Sequence, residues 1–265
     1  MSRPVLILAL LAGLAAHAQK TPDPVARAVA ELQNCHAVDD PVCRGIPVRL
    51  ANWGKHSVGP LLKGFSELPR AGQLLGVVAL KDIPHASAQR GLIRLAQADG
   101  DLIIRLLAVD ALGDRTGRAV DKALIRLLRS DNPAVRAAAA EALGKLPSER
   151  TRKTVVPALL DASGDKDSSV ERSAIASLGM LGDKRGVPVA VAALQSPDKA
   201  VQRAALFALR FLNDVRAAPQ IMELLKARDR ALVQEAGRTL EKLTGLDFGI
   251  DYALWKGWWA EKVLP

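Results

Sequence analysis

The chain has 265 residues, carries 37 Lys and Arg against 28 Asp and Glu for a formal net charge of +9, and is only 3% aromatic. That length is ample for one elongated domain, and a modest basicity spread along the whole chain favours anionic partners without singling out nucleic acid. With four histidines and two cysteines, and no H-E-x-x-H, C-x-x-C, G-x-S-x-G or P-loop spacing, it lacks the residue sets behind the common metal, redox, acyl-transfer and nucleotide sites.

Residues 1–18 read as a signal peptide. Arg3 supplies the positive start, VLILALLAGLAA (5–16) the apolar stretch, and Ala16-His17-Ala18 a small-residue cleavage site before Gln19. The apolar stretch is too short to span a bilayer as a stable helix, and no Cys follows the cleavage site to carry a lipid anchor. The expected mature chain is therefore exported, periplasmic or secreted, with no stable membrane insertion. Residues 19–54 form an N-terminal helix and a cysteine loop. Cys35 and Cys43 lie eight apart around Pro41 and are expected to pair in a compartment that permits disulfides. Closing so short a loop stabilises by roughly 2–3 kcal/mol. His36 beside Cys35 is one potential metal ligand where a tight site needs three or four. No metal, cofactor or catalytic residue is assigned.

SVGPLLKGFSEL (57–68) and AGQLLGVVAL (71–80) form a degenerate helical hairpin. ASAQRGLIRLAQ (86–97) is the first helix of the next one. From there a block of the form Asp-x-x-V-x-x-x-A-x-x-x-L recurs five times. Its apolar anchors are Ile104, Val135, Val170, Val201 and Leu232, spaced 31, 35, 31 and 31 residues apart, each followed eight residues later by Leu112, Leu143, Leu178, Leu209 and Leu240. Apolar positions at steps of three and four mark one face of a helix. A second helical pattern carries Leu128, Leu159, Leu194 and Leu225. A repeat of this length cannot bury its apolar face alone, so the copies must stack into a solenoid. Asp101, Asp131, Asp167, Asp198 and Asp229 are placed to cap the anchored helices, and Gly113, Gly144 and Gly179 to end them. The four extra residues of the third unit fall in DASGDKD, read as a longer surface turn.

SDNPAVRAAAAEALGKL (130–146), KDSSVERSAIASLGMLGD (166–183) and PDKAVQRAALFALRFLND (197–214) resemble bacterial HEAT-like repeats, the short class also found in phycobilisome lyases. The resemblance implies an all-α, right-handed α-solenoid of about six hairpins over residues 55–243, with the second helices along its concave side. It also implies binding of a protein or another macromolecule, here an unknown protein or anionic macromolecule of the cell envelope. A scaffold with no concave-face ligand is the alternative. Bilin lyases and certain DNA glycosylases use helical repeats of this kind, but both act inside the cell.

Stepping 100° per residue from each anchor, the core positions are +3, +4, +7, +8 and +11, and the opposite face is +2, +6 and +9. The +2 column is Leu106, Ala137, Arg172, Arg203 and Gln234; +6 is Asp110, Glu141, Ala176, Phe207 and Arg238; +9 is Gly113, Gly144, Gly179, Arg210 and Glu241. Arg172, Arg203, Arg210 and Arg238 thus gather around Phe207, and these five are the candidate binding patch, since arginine and aromatics are enriched at interface hot spots. Finally, residues 244–265 hold Trp255, Trp258 and Trp259 on one helical face. They are expected to cap the last hairpin, the alternative being an aromatic platform for a glycan or peptide.

Overall fold

A computed structural model describes residues 23–146 and 149–263. The expected signal peptide lies outside them. Among the described residues every regular element is helical, and the chain divides into two compact units after Ile83.

The N-terminal unit contains α1 (Pro24–Leu32), α2 (Pro41–Arg44), α3 (Ile46–Asn52), α4 (Lys55–Lys63), a 3-10 turn (Phe65–Glu67) and α5 (Arg70–Asp82). Two Asp-Pro pairs start helices in the same way. Asp23 and Asp40 accept backbone N–H bonds from Val25 and Val42, while Pro24 and Pro41 occupy the first helical position, where a missing N–H costs nothing. Cys35 and Cys43 are joined as a disulfide with Cα atoms 5.9 Å apart, tying the end of α1 to α2. Arg49 on α3 pairs with Glu31 on α1, lowering the Glu31 carboxyl below its usual range. Leu32, Ile46, Leu50, Leu61 and Leu80 are buried together. α5 approaches α1 so closely that a Cβ on Gly72 would lie 2.5 Å from the Leu32 carbonyl oxygen. The sequence starts the array at residue 55. Helix α4 packs on α1, and α5 packs on α1 and α3, so both lie in the same compact unit as the cysteine loop.

The C-terminal unit contains five hairpins and a closing helix. Their first helices are α6 (Ala86–Gln97), α8 (Arg118–Leu127), α10 (Glu149–Ala162), α12 (Val187–Ala193) and α14 (Ala218–Glu223). The second, anchored helices are α7 (Leu102–Gly113), α9 (Pro133–Gly144), α11 (Ser168–Leu181), α13 (Lys199–Leu212) and α15 (Arg230–Thr244); α16 spans Tyr252–Val263. The anchored helices pack one against the next to form one layer, and the first helices flank it. All five anchors are buried, as are the leucines eight residues on.

The caps follow the expected pattern with one correction. Asp101, Asp167, Asp198 and Asp229 each accept a backbone N–H bond at the helix start. In the second copy the cap is Asn132, accepting from Ala134 N at 2.9 Å, and Asp131 is not. Only Asn132 stands three residues before its anchor, Val135, as the four aspartates do.

Gly113 and Gly144 are the last residues of α7 and α9, while Gly179 lies inside α11, and all three have a further role. Each sits at the +9 position and faces the +7 residue of the next anchored helix. A Cβ on Gly113 would lie 3.2 Å from Ala142 Cα, on Gly144 2.5 Å from Ser177 Oγ, and on Gly179 2.4 Å from Ala208 Cα. Gly113 and Gly179 let successive backbones approach, and Gly144 makes room for the Ser177 and Met180 side chains. The ends of α11, α13 and α15 are made by others: Gly182, Asn213 and Gly245 adopt left-handed φ values of 66°, 47° and 76° as C-caps. The four extra residues of the third unit are a correction too. They extend α10 by a turn to Ala162, so the insertion is helical rather than a longer loop.

Beyond α15 the chain crosses the last hairpin, where a Cβ on Gly237 would meet the Gly249 carbonyl oxygen at 2.6 Å. Trp255 is fully buried, with its indole N–H donating to Gly249 O at 3.0 Å and its ring edge-on to Phe248 and Trp258. Trp258 and Trp259 are half-buried against the same apolar cluster as α14 and α15, and Leu254 is exposed. The three tryptophans share a face, but only Trp255 is enclosed.

Candidate functional site

The solvent face of the anchored layer changes character along the array. Between α7 and α9 it is closed by an ion pair, Lys145 Nζ to Asp110 at 2.9 Å. Between α9 and α11 the Ser173 hydroxyl donates to Glu141 at 2.8 Å and the Ser177 hydroxyl to Ala140 O at 2.9 Å. In the next two helices the same positions hold apolar side chains. Met180 is 44% and Phe211 54% exposed, and Phe211 stacks on Phe207 with ring centroids 4.7 Å apart.

A groove of about 390 Å³ opens there between α9, α11 and α13. Ala176, Ser177 and Ala204 form its floor, Met180 and Phe207 the wall towards the helix C-termini, and Arg172 and Arg203 the end towards the N-termini. Three of the five expected patch residues, Arg172, Arg203 and Phe207, therefore line one cavity. Arg210 and Arg238 are exposed on α13 and α15 but do not line it. The +9 column is not open wall in its first three members, because Gly113, Gly144 and Gly179 are buried between helices. Ala137 at +2 is buried as well.

Arg203 is partly engaged. Its guanidinium lies 3.6 Å from Glu235 and 3.9 Å from Asp229, beyond hydrogen-bonding distance of either. Asp229 is already held by Lys199 at 2.8 Å and by the α15 backbone amides, which bring its carboxyl down to about 2. Arg172, Arg210 and Arg238 make no ion pair among the described residues. Sequence periodicity placed Arg172, Arg203 and Phe207 on one face but passed over Met180 and Phe211. Both stand at +10, one turn beyond the +6 column, and two exposed apolar residues at equivalent repeat positions were the signal available.

A second cavity of about 460 Å³ lies on the flanking side, lined by Ser163, Ser168, Glu171, Ser196 and Asp198. Burial and then Asp198 push the Glu171 carboxyl above its usual range. Among the described residues no three His, Cys, Asp or Glu side chains come together as metal ligands. No helix among them is long and apolar enough to cross a membrane.

Stacked two-helix units with one layer drawn together by small residues define a helical-repeat solenoid. The repeats themselves identify its family: residues 70–144, 90–165, 120–195 and 156–241 match HEAT repeats, and the chain belongs to that family. No curated protein matches it. Among solved structures, a chain of the full-length AP-3 complex, a homology model in an intermediate open conformation, is similar with a TM-score of 0.63 and 16% identity, over 84% of this chain and 42% of that one. The Escherichia coli protein YibA gives a TM-score of 0.56 at 17% identity, over 75% and 74% of the two chains. An engineered protein is 21% identical over 83% of this chain and 68% of its own, with a TM-score of 0.48. At these identities the likeness is one of fold.

Proposed function

We propose that this chain is an exported, non-enzymatic HEAT-repeat protein that holds a partner against the solvent face of its anchored helices, which form the concave wall of the array. The partner is a protein, or another anionic macromolecule, of the cell envelope. The observation that carries this reading is the convergence of Arg172, Arg203 and Phe207 on one groove, beside exposed Met180 and Phe211, on a face otherwise closed by polar contacts. An apolar patch with basic edges on a solvated surface is a signature of recognition rather than of solubility. The Cys35–Cys43 disulfide and the sequence of residues 1–18 support export.

The test is photo-crosslinking from position 180 in the native compartment, comparing the parent with Arg203→Gln/Phe207→Ala. Charge reversal at Arg203 is unsuitable, since a glutamate there would face Asp229 and Glu235. Loss of the crosslinked product in a variant with parental melting behaviour supports the reading, and equal crosslinking eliminates the site.

A further inference from the structure

We infer that the groove between α9, α11 and α13 accepts an extended acidic peptide in which a bulky apolar side chain and a carboxylate stand two residues apart. This rests on the binding role proposed for that face and specifies its ligand chemistry.

The floor selects an apolar group. Ser173 and Ser177 line the groove, but their hydroxyls already donate to Glu141 and Ala140 O. What remains is Ala176 and Ala204 below, with Met180 and Phe207 as the wall. A polar side chain entering there would lose water without gaining a donor, whereas an apolar one is covered by a thioether that adapts to shape and by an aromatic face. The volume, about 390 Å³, is at the small end of ligand cavities and suits one large side chain with its neighbouring backbone.

The other end selects a carboxylate. Arg172 and Arg203 occupy equivalent positions on adjacent helices and reach the same end of the groove. Arg172 acts on Asp198 through space without an ion pair among the described residues, and the acids near Arg203 are at 3.6 and 3.9 Å, so guanidinium N–H donors remain for an incoming acid. Glu141, on the opposite rim, accepts from Ser173 and keeps its charge, so an incoming carboxylate is steered away from that rim towards Arg172 and Arg203. Arginine forks match carboxylates in shape as well as charge.

The spacing selects the register. Arg203 and Phe207 are four residues apart on α13, about 6 Å along the helix axis. Side chains i and i+2 of an extended peptide point the same way and are separated by about 6.6 Å. One strand lying along the groove therefore delivers its apolar side chain to Met180 and Phe207 and its carboxylate to Arg172 and Arg203. An i, i+1 arrangement would point the two groups to opposite sides.

The probe is a fluorescein-labelled octapeptide, Gly-Ser-Leu-Ser-Glu-Ser-Gly-Ser, titrated with the purified chain by anisotropy. Replacing the peptide leucine by alanine, or its glutamate by glutamine, should each weaken binding at least fivefold, and so should moving the glutamate next to the leucine. Phe207→Ala should erase the preference for leucine while keeping that for glutamate, and Arg172→Gln should do the reverse. Ala176→Phe, which fills the groove without removing a contact, should abolish binding. No saturable binding, or indifference to the leucine–glutamate spacing, overturns the inference, as does preference for a labelled oligonucleotide of equal charge. If the peptide fails while crosslinking from position 180 still depends on Arg203 and Phe207, the peptide chemistry is wrong and the binding face stands. If that crosslinking does not depend on them, the face itself is wrong.

Discussion

Arg136 on α9 and Asp165, in the turn after α10, form a two-pronged ion pair across consecutive hairpins, with Nε–Oδ2 at 2.7 Å and Nη2–Oδ1 at 2.9 Å. The same guanidinium donates to the carbonyls of Ser130 and Asp131 at 2.8 and 3.2 Å, so one side chain joins three segments. Arg136 is 8% exposed. Its presence holds the Asp165 carboxyl below the usual range, against the opposing effect of burial. Removing the acid would leave a buried cation with half its partners. Asp165→Ala should therefore cost about 2–3 kcal/mol, measured by urea unfolding. Arg136→Met strands the Asp165 carboxylate in turn, and the double variant Arg136→Met/Asp165→Leu, which leaves no charge uncompensated, should cost less than the two single losses added.

The glycines at the helix contacts give a pair of substitutions with opposite signs. Gly179→Ala places a methyl group 2.4 Å from Ala208 Cα, a backbone atom that cannot step aside. It should destabilise by about 1–3 kcal/mol. Gly257→Ala on α16 meets nothing within 4 Å and should stabilise by about 0.5–1 kcal/mol through helix propensity. Thermal melts of the two variants beside the parent decide the matter.

The closing segment depends on one tryptophan. Trp255→Ala removes a fully buried ring and its hydrogen bond to Gly249 O, a loss of about 3–5 kcal/mol. Trp258→Ala, at a half-buried position, should cost clearly less. Equal losses at the two positions would contradict the enclosure of Trp255.

Acid should weaken the C-terminal hairpins. Asp214 is held at about 2, chiefly by its two-pronged bond to Arg216, and Asp229 at about 2, chiefly by Lys199. Both are lowered from the unfolded value of about 3.8, so their contribution is full above pH 4 and is lost as pH falls towards 2. The urea midpoint should drop across that window, and Asp214→Asn should flatten part of the drop while lowering the midpoint at pH 7.

Processing is the simplest measurement. Intact mass of protein recovered from the periplasm or medium should correspond to residues 19–265 with no thiol open to alkylation before reduction. A mass including Met1 would refute cleavage, and two reactive thiols would refute the bond.

The period, the anchors and four of the five capping aspartates were legible because they obey local rules: a cap three residues before its anchor, apolar residues on one helical face. The cysteine pair was legible for a similar reason, being a short-range contact. Asp131 misled because a cap is set by register, and an Asn one residue later had the register. Gly179 misled because the same residue type serves an end, as Gly113 and Gly144 do, or a close approach inside a helix, and only the neighbouring helix decides between them. The outward face was legible at Arg172, Arg203 and Phe207. It was not at Gly113, where a rotation angle about one helix says nothing about where the next helix lies.

The +9 contacts also govern which hairpins could be exchanged or duplicated. In α7, α9 and α11 a glycine is offered forward to Ala142, Ser177 and Ala208 in turn, so each of these units carries half of the fit its successor requires. α13 and α15 have Arg210 and Glu241 there, both exposed. A copied hairpin bearing both a forward glycine and a small +7 residue would fit after α7, α9 or α11. α15 nevertheless packs behind α13, with Thr239 buried at its +7 position and Arg210 turned to solvent, so the joint between the last two hairpins is of a different kind and would not accept a copy cut for the glycine joints.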